Sequence, residues 1–451
     1  MSPKSLAKQK GSILIMALVF TAVFLIIVVG LLQYISVLNK ASNAEEDRER
    51  AFEIAEAGIN RYQWVLTHNP EDYCDGTADP CPEQATHGPF VHEFSDPTGG
   101  VIGHYELEID EPALGSTIAT VRSTGYLDSD PNYQRTVEAQ LGIPSLANFL
   151  FLCNSNMAFS ENSHVFGQVH SNGGIRFDGE NDSIIQSAQE TYWCQPIHGC
   201  APPQRKAGVW GTGGPQDLWN YPVPEIVFSN YLSDLNTLKD LAIEEGLYLP
   251  PSDRQGYHLT LLPGGQIQIR VVRSASQNGI NHEEDYDPVI ADYPSNGVLF
   301  VEDDLWIDGQ VDGRLTIAAG EFPVDTGNVN IIINDNITYT TGMGTDALGL
   351  IAQQDIEIGR WLPNETTIYA TMFAQTGKVY RDTNNNIIND SLTIYGGLAY
   401  NEAGYFKRVW FDWVVSGYRD TYYYFDASMM FSPPPHWPTS GTYDIINWRE
   451  I

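Results

Sequence analysis

The chain has 451 residues, 42 % of them hydrophobic, enough length and apolar content for two or three globular domains. Its 57 acidic and 24 basic residues leave a formal net charge of -33. That excludes nucleic acid as a partner, because phosphate recognition needs clustered Lys and Arg, and it disfavours adhesion to anionic membranes beyond the N-terminus.

Met1 to Gly11 is short and polar, with Lys4, Lys8 and Lys10 and no acid. Ile13 to Leu32 is an uncharged apolar stretch of 20 residues, the length that spans a bilayer as a helix. Positive charge ahead of the span places the N-terminus in the cytoplasm and the bulk outside. A cleaved secretory signal would have a shorter apolar region ending in small residues. Here Gln33 to Leu38 continues in helix-compatible form, so the span is retained. Beyond the polar stretch Asn39 to Arg50, the residues Phe52, Ala55, Ile59, Tyr62 and Leu66 recur at three- and four-residue spacing and mark one buried stripe. No proline interrupts Ser12 to His68, which predicts one long helix over 12–68, apolar first and amphipathic after.

Two segments of this helix carry a resemblance. Lys10-Gly11-Ser12-Ile13-Leu14-Ile15 ahead of the apolar run resembles a prepilin-type signal, and Ala51-Phe52-Glu53-Ile54-Ala55-Glu56-Ala57-Gly58-Ile59 resembles the signature of PilX-type minor pilins. The resemblance implies a 1–11 leader cut after Gly11 by prepilin peptidase, with Ser12 as the new N-terminus. It also implies partnership with other pilins or pilus assembly proteins through the helix. Two departures stand out. Ser12 replaces the usual aromatic or Met, and Met16 occupies the fifth mature position, where most pilins have a Glu. Lacking that carboxylate, the chain is expected to cap or initiate a filament rather than form its shaft.

Of five cysteines, Cys74 and Cys81 lie in a Pro/Gly/Asp-rich loop, and Cys194 and Cys200 flank another. Two local disulfides in an oxidising compartment are the favoured reading. Metal binding is the rival, kept open by His198, although neither pair has zinc-knuckle spacing. Cys153, beside the apolar run Phe149 to Leu152, reads as a buried free thiol.

Residues 69–143 read as a small antiparallel sheet with a disulfide loop. His104 to Ile109 and Gln134 to Leu141 alternate polar and apolar, and Thr117 to Tyr126 supplies a third strand. Pro144 is the expected boundary to an outer domain over 144–451. There, short apolar runs separated by Gly, Asn and Asp recur: Val298–Val301, Leu305–Ile307, Leu315–Ile317, Val329–Ile333, Leu348–Ala352, Ile356–Ile358 and Ile368–Phe373, with Val165–Gly173 and Ile175–Phe177 as earlier rungs. A parallel β-helix-like stack is the first expectation and a β-sandwich the second. A helical insert near 226–245, with Phe228, Leu232, Leu235, Leu238 and Ala242 on one face and Gly246 as its stop, is expected to cover one end or side of the stack and shield strand edges. The fold class is therefore an α+β pilin-like N-terminal part, a long helix plus a small antiparallel sheet, followed by a mainly-β domain.

Four features of the outer domain invite functional readings. Asp382, Asn384, Asn386, Ile388 (through its carbonyl) and Asp390 imitate the first part of a calcium loop, without the Gly at position six or the Glu at twelve. An Asn/Asp-rich turn explains the same residues. His282 to Asp287 offers carboxylates for a cation or for glycoside hydrolysis, against the plainer reading of a solvated loop. His170 reads as a hydrogen-bonded histidine within a rung. The aromatics Tyr405, Phe406, Trp410, Phe411, Trp413, Tyr418 and Tyr422 to Phe425 read chiefly as core, with sugar stacking or partner docking as the rival. No nucleophile elbow, Walker loop or zinc-protease motif occurs. The expected function is thus a non-catalytic, membrane-anchored minor pilin-like protein needing no cofactor, with calcium as the one candidate. A membrane-anchored polysaccharide-active enzyme and a standalone adhesin are the alternatives.

Overall fold

The computed structural model describes residues 12–451 apart from 71, 78–80, 83–85, 98, 114–115, 144, 231–234, 325–326, 411–412 and 440–442. The leader with Gly11, the boundary residue Pro144, Leu232 and Phe411 lie outside the described residues. The chain forms two compact units, one of residues 1–111, 119–141 and 445–451, the other of 112–118 and 142–444.

The first unit begins with the helix α1, Ser12–His68. Its second half buries Ala51, Ile54, Ala55, Ile59, Tyr62 and Leu66, each at 1 % exposure or less. Ala55, Ile59, Tyr62 and Leu66 thus hold the expected stripe, and only its first member departs. Phe52 is only half-buried and packs edge-to-face on Trp448, while Ala51 and Ile54 take the inner places. Four strands follow, β1 (Thr86–Ser95), β2 (Val101–Asp110), β3 (Ile118–Leu127) and β4 (Asp130–Gly142), in sequential order. Alternation places Leu107, Ile109, Ala119, Val121, Val137, Ala139 and Leu141 in the core at 0 % exposure. Helix and sheet approach closely because glycines meet there. A Cβ on Gly58 would lie 2.2 Å from Ser123 Oγ, and one on Gly125 would lie 2.2 Å from the Ala51 carbonyl oxygen. A fifth strand, Asp444–Glu450, pairs beside β4, so the extreme C-terminus belongs to this sheet and not to the outer domain.

The second unit is a parallel β-helix-like stack. One ten-stranded sheet pairs in parallel throughout, and its inward ladder runs Leu299–Ile317–Leu350–Met372–Leu398–Phe151–Val169–Ile185 in continuous register. A second large sheet supplies the facing ladder Ile337–Ile368–Ile394–Tyr423–Val165. Successive rungs bury like on like, which is why each strand needs only a few apolar residues. A β-sandwich is excluded by these parallel pairings.

The order of the rungs is not the order of the sequence. Strand Phe151–Cys153 pairs with Leu398–Tyr400, so the coils from 151 to 220 stack onto the C-terminal end of the coils from 247 to 400. The outer face of the ten-stranded sheet is also apolar: Phe300, Ala318, Ile351, Phe373, Ala399 and Leu152 are at most 3 % exposed. Parallel sheets of this kind need cover on both faces. Helix α2 (Leu235–Glu244) provides it with Leu235, Leu238 and Ala242, and the segment carrying Met429 and Trp437 provides the rest. The insert thus lies on one side of the stack, over its edge strand Leu247–Leu249 and the neighbouring strand Val298–Val301.

Candidate functional site

The first half of α1 has no partner in the fold. Ile13, Phe20, Phe24, Ile26 and Leu32 stand 62–78 % exposed. Leaving each such side chain in water forfeits about 1.5–3 kcal/mol relative to burial, so water is not this segment's medium. A helix apolar on all sides belongs in a bilayer or among other helices. Its most apolar window has a mean hydropathy of 3.1 and is wholly unburied, which suits a membrane span near the N-terminus. Met16, 59 % exposed, adds no charge to this surface. A polar collar follows, with the exposed pairs Glu45–Arg48 at 3.8 Å and Glu46–Arg50 at 2.7 Å; at such exposure these tune solubility more than stability. Then the helix becomes half-buried, and Ala51, Ala55 and Gly58 form the small-residue face that lets the sheet approach.

That same segment decides the kinship. Residues 10–60 match the PilX N-terminal family. This segment is similar to the N-terminus of PilX-type proteins. The competence-associated pilin ComZ from Thermus thermophilus is similar at 13 % identity, over 90 % of this chain and 97 % of ComZ, with a TM-score of 0.29, too low to carry an argument. No curated protein matches the chain. The helix explains the motif: Glu56 and Ala57 are half-buried on the flank, whereas Ala55, Gly58 and Ile59 seat the helix on its sheet.

The remaining candidate residues are scattered rather than convergent. Cys74 and Cys81 are disulfide-bonded, as are Cys194 and Cys200, and Cys153 is a buried free thiol held up to about 12 by burial. The loop at Asp382 closes on itself. Asp382 Oδ1 accepts the Asn384 amide at 2.8 Å, Asn385 Nδ2 donates to the Asp382 carbonyl at 2.7 Å, and Asn385 Oδ1 accepts the Ile387 amide at 2.9 Å. Arg360 pairs with the Asp382 carboxylate, while Asn384, Asn386 and Asp390 face solvent, Asp390 lying 3.7 Å from Arg419. Ile388 opens the next strand. This is a turn with one carboxylate already neutralised, and it does not fit a calcium cage. Adding chelator is expected to leave the melting temperature of the outer unit unchanged; a drop that Asp382→Ala abolishes would reinstate calcium.

Within His282 to Asp287, Glu283 and Glu284 are the carboxylates with ion-pair partners among the described residues, the latter 2.7 Å from Arg254 Nε. Glu283 belongs to a cluster with no sequence signature. His258 Nδ1 lies 2.6 Å from Glu283 Oε1, and His258 Nε2 lies 2.8 Å from Asp308 Oδ2, which also accepts Asn334 Nδ2 at 2.9 Å. Burial would lower the His258 pKa, but the hydrogen bonds and charges of Asp308 and Glu283 outweigh it and raise it. Burial likewise opposes the Asp308 charge, yet His258, Asn334 and Thr260 hold its pKa below the ordinary value. An imidazolium with a carboxylate on each nitrogen has no free nitrogen to act as a base, so the cluster is a clamp between the hairpin at 279–283 and the stack.

The clamp sets a pH window. The His258 contribution is fully present below its unfolded value, near 6.5, and is lost as pH rises through the raised folded value. The Asp308 contribution is present above its unfolded value, near 3.8, and is lost as pH falls through the lowered folded value. Calorimetry of the outer unit should therefore give a plateau between these limits with a fall on either side. His258→Gln should flatten the alkaline fall, and an unchanged alkaline limb would refute the assignment.

His170 is a buried rung histidine, 3.1 Å from Asn172 Oδ1, with burial lowering its pKa. The aromatics divide. Tyr418, Tyr423 and Phe406 are core, and Tyr339, Tyr369, Tyr395, Tyr424 and Phe166 form an outer ladder with centroids 4.3–5.0 Å apart, the spacing of the strands themselves. Trp410 and Trp413 depart from the core expectation at 68 % and 77 % exposure. They lie on the paired strands Lys407–Trp410 and Trp413–Tyr424, on the side of Gly417 away from the pairing with Ile388–Tyr395.

Proposed function

We propose that this is a non-catalytic minor pilin, anchored by α1 with its N-terminus in the cytoplasm and its two folded units exported, and cut after Gly11 by prepilin peptidase. The filament position that fits is a cap or a starting subunit. The single observation carrying the reading is the continuous helix whose apolar half is exposed and whose motif-bearing half is seated on a sheet. Support for a cap comes from Met16: a neutral side chain offers nothing to a neighbouring subunit's charged amino terminus. The engaged nitrogens of His258 and the scatter of the other candidates favour a non-catalytic role.

The test is the N-terminal mass of protein isolated from its native membrane, followed by immunogold labelling. Ser12 as first residue with label at filament ends is the expected result. A retained leader would sink the pilin reading, and label evenly along filaments would sink the cap. A second reading, adhesion, is favoured by Trp410 and Trp413 alone. Trp410→Ser with Trp413→Ser should then abolish surface attachment while leaving filaments intact; attachment unchanged would dismiss it.

A further inference from the structure

The sulfurs of the first cysteine pair share their site with a histidine. Cys74 Sγ, Cys81 Sγ and a ring nitrogen of His87 lie within 4.8 Å of one another, with Cys74 and His87 at 3 % and 4 % exposure. His87 Nδ1 is 3.5 Å from Cys74 Sγ and 3.6 Å from Cys81 Sγ. On its other side, His87 Nε2 lies 2.6 Å from Glu111 Oε1. With Nε2–H donating to that carboxylate, Nδ1 carries a lone pair, and the lone pair faces two sulfurs that hold no proton while bonded to each other. A buried imidazole turned this way has a hydrogen-bond partner on one nitrogen and an electron pair awaiting one on the other. The sheet enforces it. The register of β1 on β2 shifts between His87 and Phe90, which sets His87 apart from the regular ladder, and Glu111 follows directly on β2.

Two thiolates and an imidazole oriented by a second-shell carboxylate are the donor set of a zinc-class ion, with a fourth position for water or an incoming ligand. We propose that Cys74, Cys81 and His87 form a zinc-class metal site that opens when the disulfide is reduced. An external dithiol would supply the electrons. Its two S–H groups are oxidised to a disulfide, the Cys74–Cys81 bond breaks, and two electrons and two protons pass to the cysteine sulfurs. Metal binding then displaces both protons. The second pair lacks this arrangement: Cys194 Sγ approaches the carbonyl of His198 and not its ring, and no cluster forms there among the described residues.

The test uses the full chain in detergent, reduced with a phosphine and titrated with Co2+ alone. Expected are visible bands and thiolate-to-cobalt charge transfer at one ion per chain, absent before reduction and bleached by Zn2+. Cys194→Ser with Cys200→Ser should keep the signal, and Cys74→Ser with Cys81→Ser should lose it. Glu111→Gln, which leaves every ligand in place, should weaken cobalt about 10–100-fold. The proposal fails if reduced protein gives no such bands, if the bands follow the second pair, or if His87→Ala and Glu111→Gln leave affinity unchanged.

Discussion

Gly125→Val is expected to destabilise the N-terminal unit by about 3 kcal/mol, the upper end of what overpacking costs. A Cβ at Gly125 would meet the Ala51 carbonyl oxygen at 2.2 Å and the Ala55 amide nitrogen at 2.5 Å. Both are helix backbone, held by the hydrogen bonds of α1, so neither can step aside as a side chain would. The helix must lift from the sheet, and Ala51, Ala55 and Ile59 then lose their burial together. Gly58→Ala makes an informative companion. It gains about 1 kcal/mol of helix propensity, but its Cβ would lie 2.2 Å from Ser123 Oγ and 2.9 Å from Tyr105 Cδ2. Those are side-chain atoms, and some can shift, so its cost should be smaller. Chemical denaturation of the two variants, followed by limited proteolysis of the sheet, checks the ranking. Equal stability of Gly125→Val and the parent chain would mean that helix and sheet do not approach as described.

Trp437→Ala is expected to lower the stability of the outer unit by about 3–5 kcal/mol. Trp437 is 4 % exposed and lies over the rung at Gly349, where an added Cβ would stand 2.6 Å from its ring. The strap that brings it there is tied to the stack. Arg314 Nη2 donates to the carbonyls of Ser432 and Pro433, each at 2.6 Å, and Thr316 donates to that of Pro435. Removing the indole uncovers the apolar outer face around Ile351 and Phe373. Gly349→Ala alone should also destabilise, by overpacking against the ring. In the double variant the new methyl enters space the indole has left, so the two costs should sum to less than their separate values. Simple additivity, measured by calorimetry, would show that the strap does not pack on this rung.

How much of this was legible beforehand follows from which interactions are local. The helix over 12–68 needed only its apolar run, its spacing and the absence of proline, because a helix is specified by residues three and four apart. Strands such as Leu305–Val311 and Ala347–Ala352 were recognisable, since an inward residue and its turn lie within one short segment. The reading faltered where faces compete. Phe52 fits the helical stripe by hydrophobicity, but Ala51 and Ala55 are the residues whose backbone meets Gly125, and the large ring lies on the flank against Trp448.

The amino-acid sequence by itself determined the long apolar N-terminal helix, the likeness of its motif, the β-rich outer domain and the character of its rungs. Only the tertiary structure decided the order of those rungs. Strand Phe151–Cys153 could lie on any neighbour, because every rung buries a similar apolar row, and the match to Leu398–Tyr400 is made between segments remote in the chain. The same holds for the C-terminal strand that crosses to the first sheet, for the clamp of His258, Glu283 and Asp308, and for His87 between two cysteines. Each depends on long-range pairing, where register is set by the summed fit of many side chains and leaves no mark on any one of them.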